Sequence, residues 1–94
     1  TADERKKLQQ IASEMKKDPS LVISLIGYTD DRGSETVNLE VGKERASRVK
    51  EILVEAGIEE RRIKAESLGE AKPIVSNQTE AGRAKNRRVE IVTK

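Results

Sequence analysis

Leu8, Ile11, Ala12 and Met15 recur at spacings of three and four residues, so residues 1–17 present one apolar face as an amphipathic helix. Thr1 and Glu4 have the spacing of a capping box at its start, and Pro19 ends it, because the residue before a proline disfavours the helical region. "LVISLIG" (21–27) is short, aliphatic and β-branched, and is bounded by Pro19-Ser20 and Gly27, which reads as a central strand. Residues 28–34 form a loop. A second helix runs from about Glu35 to Ala56, with Gly57 as its stop. "RIKAESLG" (62–69) reads as a more exposed strand, since Ile63, Ala65 and Ser67 alternate with Lys64, Glu66 and Leu68. Glu70 to Gln78 is loop, Thr79 to Lys85 a short capped helix, and "RRVEIVTK" (87–94) a closing strand with Val89 and Ile91 on one face. The alternation predicts a two-layer α/β sandwich in which both long helices cover one face of the sheet, built as one domain over residues 1–94.

The second helix breaks its own pattern. Its apolar stripe is Val41, Ala46, Val49, Ile52, Leu53 and Ala56, yet Arg45 lies on the same stripe and Asn38 shares the line two turns earlier. A guanidinium facing a core keeps its proton and needs an anionic or hydrogen-bonding partner. The loop after the central strand offers Asp30 and Asp31, at the strand-to-helix mouth where open α/β sheets usually bind ligands. Gly27 and Gly33 would let that loop turn tightly. Two readings follow. In one, Asp30 and Arg45 wall a polar pocket suited to a zwitterion, the carboxylate taking an ammonium and the guanidinium a carboxylate. In the other, Arg45 and Asp30 or Asp31 form an internal salt bridge that fixes the loop.

Composition narrows the chemistry. The chain has 94 residues, 34% of them hydrophobic, without Phe, Trp, Cys or His, so its core is aliphatic and it lacks the usual neutral-pH base and nucleophile. That argues against an enzyme, and no cofactor or metal motif is present. Nineteen basic and 17 acidic side chains are interspersed, giving a formal charge of +2, the pattern of a solvated surface. The basic run "GRAKNRRV" is the best feature for a weak nucleic-acid binder, but no aromatic stacking platform accompanies it. No run approaches the length of a membrane span.

"GYTDDRGSETVNLEVGKERASRV" resembles the signature of the OmpA-like peptidoglycan-binding domain, whose pattern runs G-[HY]-T-D-x-x-G and then N-x-x-[LV]-[SG]-x-x-R-A. "LGEAKPIVSNQTEAGRAKNRRVEI" is similar to the family's second stretch, G-x-[GE]-x-x-P-I followed by N-x-T-x-x-G-R-x-x-N-R-R-V-E. The resemblance implies an α+β fold with a mixed sheet of at least three strands. It also implies noncovalent binding of peptidoglycan through the diaminopimelate of its stem peptide, anchoring a parent protein in the periplasm, within the cell envelope of a Gram-negative-type bacterium. On this resemblance Asp30 takes the diaminopimelate ammonium and Arg45 its carboxylate, while Thr29, Asn38 and Arg87 line or support the site.

The start of the chain departs from the family, whose members place a β-strand before the first helix, beside the last strand. The expectation is a domain trimmed or rearranged at its N-terminus, with residues 87–94 as an exposed edge open to a second copy in a homodimer. The alternative function is then a trimmed or engineered scaffold with impaired binding and strand-edge self-association.

Overall fold

A computed structural model describes residues 2–93. The chain runs α1 (Ala2–Lys17), β1 (Ile23–Tyr28), α2 (Glu35–Glu55), a 3-10 turn (Glu60–Arg62), β2 (Ile63–Gly69), α3 (Glu80–Asn86) and β3 (Val89–Thr93). The capping role expected of Thr1 lies outside the described residues. Ser34 caps α2 by accepting from the Val37 amide, and Thr79 caps α3 by accepting from Gly82, each relieving one of the amides a helix start leaves unpaired. The central strand begins two residues later than its apolar run and takes in Tyr28; the Leu21 amide still closes the turn after α1 on the Asp18 carbonyl.

The sheet is mixed, in the order β2-β1-β3, with β2 parallel and β3 antiparallel to β1. Ile23 and Leu25 of β1, with Ile63 and Ala65 of β2, meet Ala12 and Met15 of α1 and Ala46 and Leu53 of α2 in one aliphatic core. Both long helices therefore cover the same sheet face. Each fully buried Leu, Ile or Met contributes about 1.5–3 kcal/mol, which is how a core without Phe or Trp can hold the fold.

The stripe that α2 buries differs from the expected one. Asn38, Gly42, Ala46 and Leu53 are buried, whereas Ile52 is 49% exposed and Ala56 is exposed as well. The cause is a backbone contact: a Cβ on Gly27 would stand 1.7 Å from the Gly42 carbonyl oxygen. Strand and helix touch without side chains between them, which turns the Gly42 line inward and leaves Ile52 at the margin beside α1. Gly27 thus serves close approach rather than the loop turn expected of it. Gly33 does make that turn, at φ 89°.

Arg62 is 5% exposed and ties α1 to the sheet. Its guanidinium donates to the carbonyls of Met15 (2.6 Å), Asp18 (2.7 Å) and Leu21 (3.1 Å), and pairs with Glu59 at 3.3 Å. The bond to Met15 satisfies one of the carbonyls that the last turn of α1 leaves without an intrahelical partner.

Overpacking a filled contact costs about 1–3 kcal/mol, and a backbone atom cannot step aside, so Gly27→Ala should lose at least about 3 kcal/mol in urea unfolding. Gly42→Ala should lose less: its Cβ meets the rotatable Ser67 hydroxyl at 2.2 Å and the Gly27 oxygen at 2.8 Å, and alanine regains about 1 kcal/mol of helix propensity. Native-like stability of Gly27→Ala would refute the contact.

Candidate functional site

The carboxyl end of β1, the loop behind it and the first half of α2 meet at one end of the sheet. Thr29 and Asp30 are each 5% exposed, while Asp31 points to solvent, so of the two aspartates only Asp30 faces inward. Thr29 supports the turn: its amide donates to the Gly69 carbonyl and its hydroxyl to the Asp30 carbonyl at 2.9 Å. Tyr28 is 3% exposed and lies under the Arg88 guanidinium, 3.8 Å from ring centroid to Cζ. Burial, and then the nearby Glu90, push its hydroxyl pKa up. It packs the strand end.

Asp30 is already surrounded by donors. Its Oδ1 accepts from the Arg32 amide at 3.0 Å, and its Oδ2 from the Arg87 guanidinium at 2.7 Å and the Arg32 guanidinium at 3.3 Å. Burial alone would raise its pKa, but the Arg32 amide and the Arg87 and Arg32 guanidiniums outweigh it and hold the carboxyl below its ordinary value. Arg87 bridges on to Glu80 of α3 at 2.7 Å, and Arg83 reaches the same carboxylate at 3.2 Å. Glu80 is held low by its bonds to Arg87 and Arg83. Arg87 is in turn pushed up by Glu80 and then Asp30.

Arg45 stands apart from this network. The internal salt bridge weighed for it does not form: the partners of Asp30 are Arg32 and Arg87, and among the described residues Arg45 has no ion pair or hydrogen bond. Its Nε is buried without an acceptor, and so is Asn38 Nδ2 on the same helix. A buried donor left unmade costs about 1–3 kcal/mol. These two unmet donors lie on α2, the helix that follows the loop carrying Asp30. Arg45 and Arg87 both line a groove of about 490 Å³ between α1, α2 and β3, whose walls also carry Glu4, Lys7, Arg48 and Arg88 and an aliphatic floor that includes Val49 and Ile91.

The structure thus joins Asp30 to Arg87 and places Arg45 on the same groove as Arg87, with Thr29 in a supporting position and Asn38 buried with an unmet donor. Sequence reasoning missed Arg32, Glu80 and Gly42. Gly42 was the most visible of them, four residues from both Asn38 and Ala46 and hence on their line. The arginines of the basic run are engaged internally: Arg83 with Glu80 and the Asn77 carbonyl, Arg87 with Asp30 and Glu80, Arg88 with Glu90 and the Lys72 carbonyl. Among the described residues no group of three acidic, His or Cys side chains could hold a metal ion, and no helix is long and apolar enough to cross a membrane.

Comparison with known proteins gives a consistent neighbourhood. Residues 1–87 match the OmpA family. The probable lipoprotein YiaD of Escherichia coli is 40% identical over 84 residues, covering 89% of this chain and 38% of that protein. The peptidoglycan-binding protein ArfA of Mycobacterium tuberculosis is 44% identical over 85 residues, 90% of this chain and 26% of that protein. The chain therefore spans less than half the length of these relatives. Among solved structures, the peptidoglycan-associated lipoprotein from Burkholderia pseudomallei superposes with a TM-score of 0.93 at 35% identity, covering 100% of this chain and 80% of that one. The C-terminal domain of Helicobacter pylori MotB gives 0.85 at 29% identity, covering 100% and 74%.

The acid response of this network has a definite sign. Asp30 and Glu80 have lowered pKa values in the folded chain, so their contribution to stability is complete above their unfolded values, near 4, and is lost as pH falls through the folded ones. Asp30→Asn should therefore be less stable than the native chain at pH 7, with the gap narrowing towards pH 2 in thermal unfolding. A gap independent of pH would contradict the assigned charge network.

Proposed function

The chain belongs to the OmpA family, and on that premise we propose that it binds peptidoglycan noncovalently through the diaminopimelate of the stem peptide, holding a parent protein to the wall within the cell envelope. The observation that carries the reading is the pair of buried donors without acceptors, Asn38 Nδ2 and Arg45 Nε, on the helix that follows the loop bearing the inward Asp30. A ligand carboxylate would supply what both lack, and its ammonium would answer Asp30. The amino-acid end of diaminopimelate carries both groups on one carbon, whereas a lysine-type stem peptide ends in an ammonium alone. The names of the relatives agree with the ligand class: one is called a peptidoglycan-binding protein and another a peptidoglycan-associated lipoprotein. The mechanism is charge-paired recognition without a chemical step, with Thr29 and Arg87 holding Asp30 in place.

Breaking a buried hydrogen-bonded charge pair at an interface costs about 2–5 kcal/mol, so Arg45→Ala should weaken binding roughly thirtyfold or more. Arg45→Lys should fall close to it, because the forked contact is lost. Since Arg45 supports nothing internally, both variants should unfold like the native chain. The measurement is an NMR titration with a diaminopimelate stem peptide and, in parallel, its lysine counterpart. Absence of shifts over residues 28–45 would exclude binding at this site, and an equal response to the lysine peptide would exclude the stated specificity.

The sheet edge supports a second reading. The Lys43 ammonium covers the Ala65 carbonyl of β2, but β3 is paired only with β1 among the described residues, and Val92 on it is 41% exposed. Two copies could pair edge to edge along β3 as a homodimer. Sedimentation from micromolar to millimolar concentration should then show a rising mass; a 10.5 kDa species throughout would dismiss self-association.

A further inference from the structure

Asp30 is meant to receive an ammonium, yet it is not vacant. Its side chain is 7% exposed, and three donors already reach its two oxygens: the amide of Arg32 and the guanidiniums of Arg32 and Arg87. A carboxylate offers about four lone-pair sites, so crowding alone would not bar a fourth donor. Charge does. An ammonium added to the resting arrangement would be the third cation on one carboxylate, and like charges at that range oppose one another.

The two guanidiniums are not held equally. Arg87 sits at 2.7 Å, three-quarters buried, and its other arm is bound to Glu80 at 2.7 Å. Arg32 sits at 3.3 Å with a side chain 61% exposed, and its other charge partner, Glu80 Oε2, is 3.9 Å away. The looser and more solvated cation is the one that can leave, and Glu80 provides a second carboxylate on which it can rest.

We propose that Arg32 occupies the ammonium position of the resting site, and that ligand binding is an exchange in which the incoming ammonium displaces the Arg32 guanidinium from Asp30 towards Glu80. This rests on the binding function proposed above. Arg32 then acts as an internal competitor that lowers the affinity for any ligand cation at Asp30, while the carboxylate half of the ligand, received by Arg45 and Asn38, is not contested. The Arg32 amide stays on Asp30 Oδ1 throughout, so the carboxylate remains oriented while its charge partner changes.

Arg32→Gln separates the two roles of this residue, since it keeps the amide and removes the charge. The probes are a diaminopimelate stem peptide with its side-chain amine free and the same peptide with that amine acetylated, each titrated calorimetrically into the native chain and the variant. The free-amine peptide should bind the variant about two- to fivefold tighter than the native chain, the range expected for an exposed ion pair. The acetylated peptide should not gain. The readout is therefore the ratio of the two affinities, which a general loss of positive charge would leave unmoved. An unchanged or reduced ratio in Arg32→Gln, with the native chain binding normally, overturns the exchange and leaves the binding function standing. Failure of the native chain to bind either peptide overturns both.

Discussion

The contact between Gly27 and Gly42 sets the coordinates of everything at this end of the molecule. Asp30 follows Gly27 by three residues, and Arg45 follows Gly42 by three. One chain leaves the contact as a strand end and loop, the other as a helix, so the place where their backbones touch fixes how far the carboxylate stands from the guanidinium. A side chain at either glycine would push α2 off β1 and open that distance. The placement of the Asp30 loop against α2 is therefore a packing property before it is an electrostatic one.

The charges that follow from this placement are unequal. On the strand side, Asp30, Arg87 and Glu80 compensate one another, which stabilises the loop and the junction with α3. On the helix side, Arg45 Nε and Asn38 Nδ2 are buried donors that nothing among the described residues accepts. A protein tolerates the second condition at a cost of a few kcal/mol, and such costs concentrate where a ligand is expected. The site is thus charge-compensated around Asp30, most firmly by Arg87, and unsatisfied on α2. Tyr28, the sole aromatic residue, belongs to the compensated half as the surface on which Arg88 rests.

Much of this was legible in the sequence because it depends on local pattern. The six principal elements follow from apolar spacing, Pro19, Gly57 and the cap at the start of the short helix at Thr79. The weight on Arg45 came from a charged side chain on an apolar stripe, and the choice of Asp30 over Asp31 from the resemblance to the family motif. What escaped depends on distance in space. Ile52 fits a helical stripe as well as Leu53 does, and only the depth at which Gly42 docks decides which of them is buried. Arg32 and Glu80 look like surface charges in a chain where 38% of residues are charged, and nothing local marks them as neighbours of Asp30. Arg62 likewise reads as one of two consecutive surface arginines, although its partners lie more than forty residues away, at the end of α1.

Arg62 also bears on how the molecule would carry a mechanical load. An anchoring domain is strained between its bound ligand and whatever it holds, and α1 joins the rest through side-chain packing rather than through the sheet's hydrogen-bond ladder. The fan of bonds from Arg62 to Met15, Asp18 and Leu21 ends at the root of β2, so tension along α1 is shared by several strong contacts at once instead of peeling the helix away turn by turn.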